Sequence, residues 1–369
     1  MALKRIGVLT GGGDAPGLNP AIRALTWKAQ ELGIETVGIY DGWKGLLDGF
    51  ADENWPLDIE TVRYWDLEGG TRLGSSRTNP FNHKVGGEKT DVSDQVLRNL
   101  QKLKLDALVP IGGEDTLGVA AKLAVKGAHV VGIPKTIDKD LGGTDYSLGF
   151  DTSLRTCADI IERSRTPAGS HHWVQVVEVM GRHAGHLALW SGLAGGAFIT
   201  LIPEAPFSVD KVLKLLDERL QKGKNDRRLP RYAVVVVAEG ALPSGGQEVT
   251  LEQKVDAFGH QRLGGIGAWL AEQIRAKTKW DSRAVALGHP QRGGVPSPID
   301  RIMGHLFGSA AVDACIEGAW GKMVSAKGIA PACTISLVNL SEATKALNLV
   351  DVARHYNLER YQPSRTILG

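Results

Sequence analysis

The sequence predicts an α/β protein with a mostly parallel sheet in each of two domains. Three observations predict it. Short apolar runs alternate with stretches whose apolar residues recur at helical spacing, the pattern of strand, helix and strand units. Those runs stop abruptly in polar or glycine-rich loops, as buried parallel strands do when they deliver ligand-binding groups at their carboxyl ends. A chain of 369 residues is ample for a large core and long for a single domain.

Taken in order, Arg5–Thr10 is a compact apolar strand, Gly11–Asn19 a glycine-rich loop, and Pro20 to about Leu32 a helical pattern. Pro20 suits a first helical turn because its missing N–H would have no intrahelical partner there. A glycine-rich loop between strand and helix offers backbone N–H groups and a helix dipole to an anion. This loop fits neither the Walker A pattern nor the dinucleotide fingerprint, and read alone it is equally a tight turn. Glu35–Tyr40 is the second strand, with Asp41-Gly42-Trp43 as its turn. In the polar loop Gly69–Pro80, Arg77 stands among small residues and suits phosphoryl oxygens.

The middle of the chain carries the strongest chemical signal. Leu105–Ile111 and His129–Ile133 are strands, and Leu117–Lys126 has the spacing of the helix that connects them. Behind the two strands come Gly112-Gly113-Glu114-Asp115-Thr116 and Pro134-Lys135-Thr136-Ile137-Asp138-Lys139-Asp140, which bring four acids and two lysines to one crevice. Glycines let a phosphate approach the backbone, and acids beside it can hold a divalent ion; phosphoryl transfer asks for both. For Glu114 or Asp115 alone, a helix N-terminal acid is the plainer reading.

Beyond it, Gly142–Ser153 lacks periodicity, which places a domain crossing near residue 150. A helix from about Leu154 to Ser164 leads to the strand Trp173–Val179 and the loop Met180–Gly185. Ser208 caps an amphipathic helix whose Val212, Leu213, Leu216 and Leu220 share a core face, and Gly223–Arg228 is a solvated basic turn. Tyr232–Ala238 is a strand followed by Glu239-Gly240, and Ala241–Gly265 reads as an insertion or lid. Arg283–Gly288 is the last strong strand, ahead of the loop His289–Pro296 and a helix opened by Asp300-Arg301.

Composition excludes other classes. A formal charge of +2 gives no electrostatic argument for nucleic acid or an acidic membrane. Cys157, Cys315 and Cys333 are odd in number and share no metal-like spacing, so a reduced compartment is expected. The first residues run directly into a strand, and no stretch approaches the length of a membrane span, so a cytoplasmic protein is expected.

The loops GGGDAPGLN, GSSRTNP, GGEDT, PKTIDKD, VEVMGRHAG, AEG and LGHPQRGG, in this order over nearly the whole chain, resemble the 6-phosphofructokinases of the ATP- and pyrophosphate-dependent superfamily. The resemblance implies two Rossmann-like domains with the active site in the cleft between them. It implies one domain of about residues 1–149 plus 291–341, which binds the phosphoryl donor, and one of about 150–290 plus 342–369, which binds the sugar phosphate. The implied reaction moves a phosphoryl group to the 1-hydroxyl of fructose 6-phosphate, reversibly, in glycolysis or gluconeogenesis.

Residue roles follow by resemblance. Asp138 takes the hydroxyl proton, with Asp115, Lys135 and Arg182 as further catalytic residues. Glu114 holds Mg²⁺ with Asp140 as a second candidate, and Gly12, Arg77 and Gly113 hold the donor. Thr136, Asp138, Met180, Gly181, Arg182, Glu239, Arg283, His289 and Arg292 match the sugar-phosphate residues. In the family the arginine matching Arg283 comes from a neighbouring subunit, which implies a homodimer or homotetramer with shared sites. ATP users resembling this chain carry glycine at the position of Asp115 and commonly at that of Lys135. A carboxylate there repels an α-phosphate, while a lysine neutralises pyrophosphate, so pyrophosphate is the expected donor. ATP remains the alternative.

Three positions depart from the family pattern. Trp173 stands where the family has an arginine for the 6-phosphate, which leaves sedoheptulose 7-phosphate or another acceptor open. Lys139 stands in place of the usual asparagine. Trp27 replaces an arginine of the effector site, which argues against nucleotide allostery. A non-catalytic sugar-phosphate sensor on the same fold is the competing class, and a binder does not need Asp138.

Overall fold

In the computed structural model, which describes residues 3–47, 55–246, 250–255 and 261–364, the strand Arg5–Thr10 is covered on both faces. Ile6 and Val8 belong to one apolar cluster with Ile22, Leu25 and Phe307, while Leu9 belongs to another with Leu108, Leu117 and Leu123. Alternation with no polar face is what a central parallel strand requires. Arg5–Thr10 pairs in parallel with Glu35–Ile39 on one side and Ala107–Gly112 on the other. The whole sheet has seven strands, in the order 334–339, 322–327, 131–134, 107–112, 5–10, 35–39, 55–57. Only the two outermost strands, Thr334–Asn339 and Trp55–Leu57, run antiparallel to their neighbours.

A second sheet of four parallel strands runs in the order 282–286, 174–179, 233–238, 199–201. Its core is separate: Val176, Val177, Val235 and Val236 cluster with Ile161, Leu187, Leu216 and Ile274 from helices. The architecture is thus α/β with mostly parallel sheets, as expected. No described helix is long and apolar enough to cross a membrane.

Several elements differ from expectation for identifiable reasons. The helix expected over Leu154–Ser164 runs from Phe150 to His171 and passes through Pro167. Proline removes the N–H that the Arg163 carbonyl would accept, and the Thr166 hydroxyl donates to that carbonyl instead, at 3.0 Å. Arg283–Gly288 is not the last strand, because Lys322–Lys327 follows and pairs beside Val131–Pro134. Its Ser325 reads as polar but is buried, donating to the Gly143 carbonyl at 2.6 Å. The helix Ile266–Lys277 is not among the expected elements. Of the expected lid over Ala241–Gly265, the described part includes an antiparallel ribbon, Thr250–Val255 with Gln261–Leu263; residues 247–249 and 256–260 lie outside the described residues.

The chain passes from the first sheet to the second around Gly149 and returns through 291–300, and one buried carboxylate ties both passages. Asp300 accepts from Tyr146 Oη and Gly149 N, each at 2.7 Å, and from Thr152 N at 2.9 Å. Four hydrogen bonds, counting the Thr152 hydroxyl, are what a fully buried carboxylate without a cation needs.

Candidate active site

In an open parallel sheet, ligands bind beyond the carboxyl ends of the strands where the order reverses. In the first sheet that point lies between Arg5–Thr10 and Ala107–Gly112, because 35–39 lies on one side and 107–112 on the other. In the second it lies between Val174–Val179 and Ser282–Ala286. The loops from both points line one cavity of about 940 Å³.

On the first-sheet side, the cavity is walled by Gly12, Arg77, Gly113, Glu114, Asp115, Lys135, Thr136, Asp138 and Asp140. The loop carrying Arg77 is zipped to the glycine loop: Gly12 N donates to Ser76 O at 3.0 Å and Ser75 Oγ to Gly12 O at 2.5 Å. Of the N–H groups that the glycine loop is expected to offer an anion, that of Gly12 is committed to Ser76. What Gly12 contributes is a backbone without a Cβ at φ 79°. Thr116 fills the angle between the two glycine loops, where a Cβ on Gly11 or Gly112 would come within 2.6 or 2.4 Å of it.

Lys135 is 2% exposed and lies beneath the glycine loop, with Nζ donating to Gly11 O at 3.0 Å and to Gly13 O. Burial, with Arg292 nearby, lowers its ammonium to about 7. Asp138 moves the opposite way: burial, then the charge of Asp140, raises it to about 6. Its Oδ1 is buried and accepts no hydrogen bond from the protein, an arrangement that costs free energy and that a substrate hydroxyl or bound cation would relieve.

On the second-sheet side stand Met180, Arg182, Glu239, His289 and Arg292. Burial, then Asp138, raises Glu239 to about 7. The sides meet at Gly13, where a Cβ would lie 2.7 Å from Arg292 Nη1; glycine lets the guanidinium reach across, and that Nη1 donates to Asp14 O at 3.2 Å.

Three expected residues do not line this cavity. Lys139, expected in the crevice with Lys135, instead has its Nζ 5.5 Å from the centre of the Phe150 ring. Gly181, at φ 133°, shapes the turn, and its carbonyl accepts from Gly240 N at 3.1 Å. Arg283 is exposed on its strand, with its guanidinium 5.0 Å from the centre of the Trp173 ring and 3.2 Å from Asp281. Arg283 thus lies outside the cavity of its own chain.

Other lining groups were not expected: Glu178, His183, Gln291 and the segment Thr344–Leu347. Glu178 is an acid inside an apolar strand, a signal that could have been noticed; its carboxylate accepts from Gly265 N and Gly267 N. The 344–347 segment carries no motif. It is strapped over the acids by Asn348, which donates to Lys139 O at 2.9 Å and Asp140 O at 2.7 Å.

A phosphofructokinase family model matches residues 5–315. The pyrophosphate--fructose 6-phosphate 1-phosphotransferase of Amycolatopsis methanolica is 49% identical over 367 residues, spanning 99% of this chain and 100% of that protein. The ATP-dependent 6-phosphofructokinase of Corynebacterium efficiens is 43% identical over 356 residues, spanning 96% and 97%. Among solved structures, a pyrophosphate-dependent phosphofructokinase from Marinobacter aquaeolei superposes with a TM-score of 0.79 at 20% identity, covering 98% of this chain and 89% of that one, a likeness of fold alone.

Proposed function

The chain belongs to the phosphofructokinase family, and on that premise we propose that it moves a phosphoryl group reversibly from pyrophosphate to the 1-hydroxyl of fructose 6-phosphate. The products are fructose 1,6-bisphosphate and phosphate. The observation that carries the donor is that Asp115 and Lys135 line the same cavity. Asp115 lies in the first turn of the helix Glu114–Val125, where its carboxylate repels a further phosphate. The buried lysine places positive charge beneath the loop that holds a compact polyanion.

The buried Asp138 carboxylate accepts the hydroxyl proton as the sugar oxygen attacks phosphorus. The bond from that phosphorus to the bridging oxygen breaks, and its electron pair leaves with phosphate. A carboxylate raised to about 6 is ionised at neutral pH yet basic enough to take that proton late in the attack. Arg77 orients the donor, while Arg182, His289 and Arg292 hold the sugar phosphate with Glu239 on its hydroxyls.

The carboxylates suit Mg²⁺. Among the described residues no group of three His, Cys, Asp or Glu forms a cage, and Mg²⁺ is ordinarily held by one or two carboxylates plus substrate phosphates. Glu114, assisted by Asp140, would hold the ion, which neutralises phosphate charge when bound. The assembly proposed is a homodimer or homotetramer in the cytoplasm, with Arg283 serving a neighbouring site.

Phosphorus NMR of the protein with Mg²⁺, pyrophosphate and fructose 6-phosphate should show fructose 1,6-bisphosphate and phosphate growing together. Pyrophosphate lost to phosphate with no new ester would overturn the proposal.

A further inference from the structure

We propose that Gln291 is a positioning residue for the sugar-phosphate half of the site: its amide oxygen holds the loop Gly288–Arg292 in register with the loop Met180–Arg182, while its amide nitrogen braces its own loop at Gly288. This rests on the phosphotransferase reading and deepens its acceptor side.

Gln291 is 1% exposed, and both polar atoms of its side chain bond to protein. Oε1 accepts from the Met180 backbone N–H at 3.0 Å and from the Cys157 thiol at 3.2 Å. Nε2 donates to the Gly288 carbonyl at 2.9 Å, and the Gln291 carbonyl accepts from Ser153 Oγ at 2.7 Å. A backbone N–H can only donate and a carbonyl can only accept, so these partners fix which end of the amide is oxygen. Burial pushes the Cys157 thiol up, which keeps it a donor.

The bonds join three segments that are distant in sequence. Met180 follows one central strand of the second sheet and leads to Arg182; Gly288 follows the adjacent strand and leads to His289 and Arg292; Ser153 and Cys157 lie on the helix that enters the second sheet. The cations that would hold the 6-phosphate thus sit on two loops whose only side-chain link to each other among the described hydrogen bonds is this amide. Leucine at this position would leave the Met180 N–H without its acceptor. Glutamate would keep that acceptor but set a second oxygen against the Gly288 carbonyl until the carboxyl is protonated and can donate.

The test is equilibrium binding of fructose 6-phosphate and, separately, of pyrophosphate with Mg²⁺, by calorimetry on the full chain and on Gln291→Leu and Gln291→Glu. We expect each variant to weaken fructose 6-phosphate about tenfold near neutral pH while pyrophosphate changes less than about twofold. For Gln291→Glu, the deficit relative to wild type should shrink as pH falls from about 8 to about 6, a response that loss of packing alone does not produce. Unchanged affinities, a parallel loss of both ligands, or a Gln291→Glu deficit independent of pH would overturn the proposal. Failure of wild type to bind fructose 6-phosphate would overturn it together with the phosphotransferase reading, whereas a turning-over wild type with unsplit variants would overturn it alone.

Discussion

The two halves of the cavity handle charge by different means. The first-sheet half is built from glycine backbone, a lysine sealed beneath it and carboxylates at helix and strand ends. The second-sheet half is built from long cationic side chains, aimed by loops that Gln291 ties together. Backbone and buried charge cannot shift to follow a ligand, so in the proposed reaction the first half would set protonation and donor size. Long side chains can adjust, so the second half would set affinity. Changes on the first side should accordingly appear in turnover and donor choice, and changes on the second in acceptor binding.

The largest effect tests this division at its centre. Asp138→Asn removes the proton acceptor while keeping its shape, and kcat should fall by about 10³-fold or more with fructose 6-phosphate binding within about threefold of wild type. A kcat within about tenfold of wild type would mean that the proton leaves by another route. Lys135→Met should lower kcat with pyrophosphate by about 10²-fold, since it deletes the charge that the departing phosphate meets in a dry site. A rise in the acceptor KM alone, with kcat intact, would break the comparison. Asp115→Gly is a smaller change in the same half: kcat/KM for ATP should rise about tenfold while that for pyrophosphate falls. No gain with ATP would remove the proposed role of Asp115.

The pH profile sharpens the same contrast. Asp138 has to be ionised, so kcat/KM should fall as pH drops below about 6. Lys135 has to be charged, so kcat/KM should also fall as pH rises through about 7. Binding of a polyanion favours the ammonium, so the alkaline limb of kcat should lie at higher pH than that of kcat/KM. Coincident limbs would show that the donor does not act on Lys135. The smallest effect expected lies away from the cavity: Thr166→Val removes an exposed hydrogen bond to the Arg163 carbonyl that water can replace, and should cost less than about 0.5 kcal/mol in denaturant unfolding without altering kcat.

The first-sheet half was also the more legible in sequence. Gly112–Thr116 and Pro134–Asp140 follow uninterrupted apolar strands, and local pattern alone brings their four acids and Lys135, though not Lys139, to one cavity. What pattern does not carry is partnering across the chain. Gln291 is an ordinary polar residue until Met180 and Gly288 are found on either side of it, 111 and 3 residues away. Gly12 suggested an N–H donor because nothing local shows that Ser76 occupies it. Arg283 lies on the surface beside Trp173, a neighbour that its own strand pattern does not reveal. The polar strand Lys322–Lys327 was hidden because Ser325 is satisfied by a carbonyl 182 residues away.

The most direct test of the donor assignment is a pair of initial-rate assays with Mg²⁺ and fructose 6-phosphate, one supplied with pyrophosphate and the other with ATP at equal concentration. The account predicts rapid formation of fructose 1,6-bisphosphate with pyrophosphate and a rate at least about 10²-fold lower with ATP. Faster turnover with ATP than with pyrophosphate would contradict it.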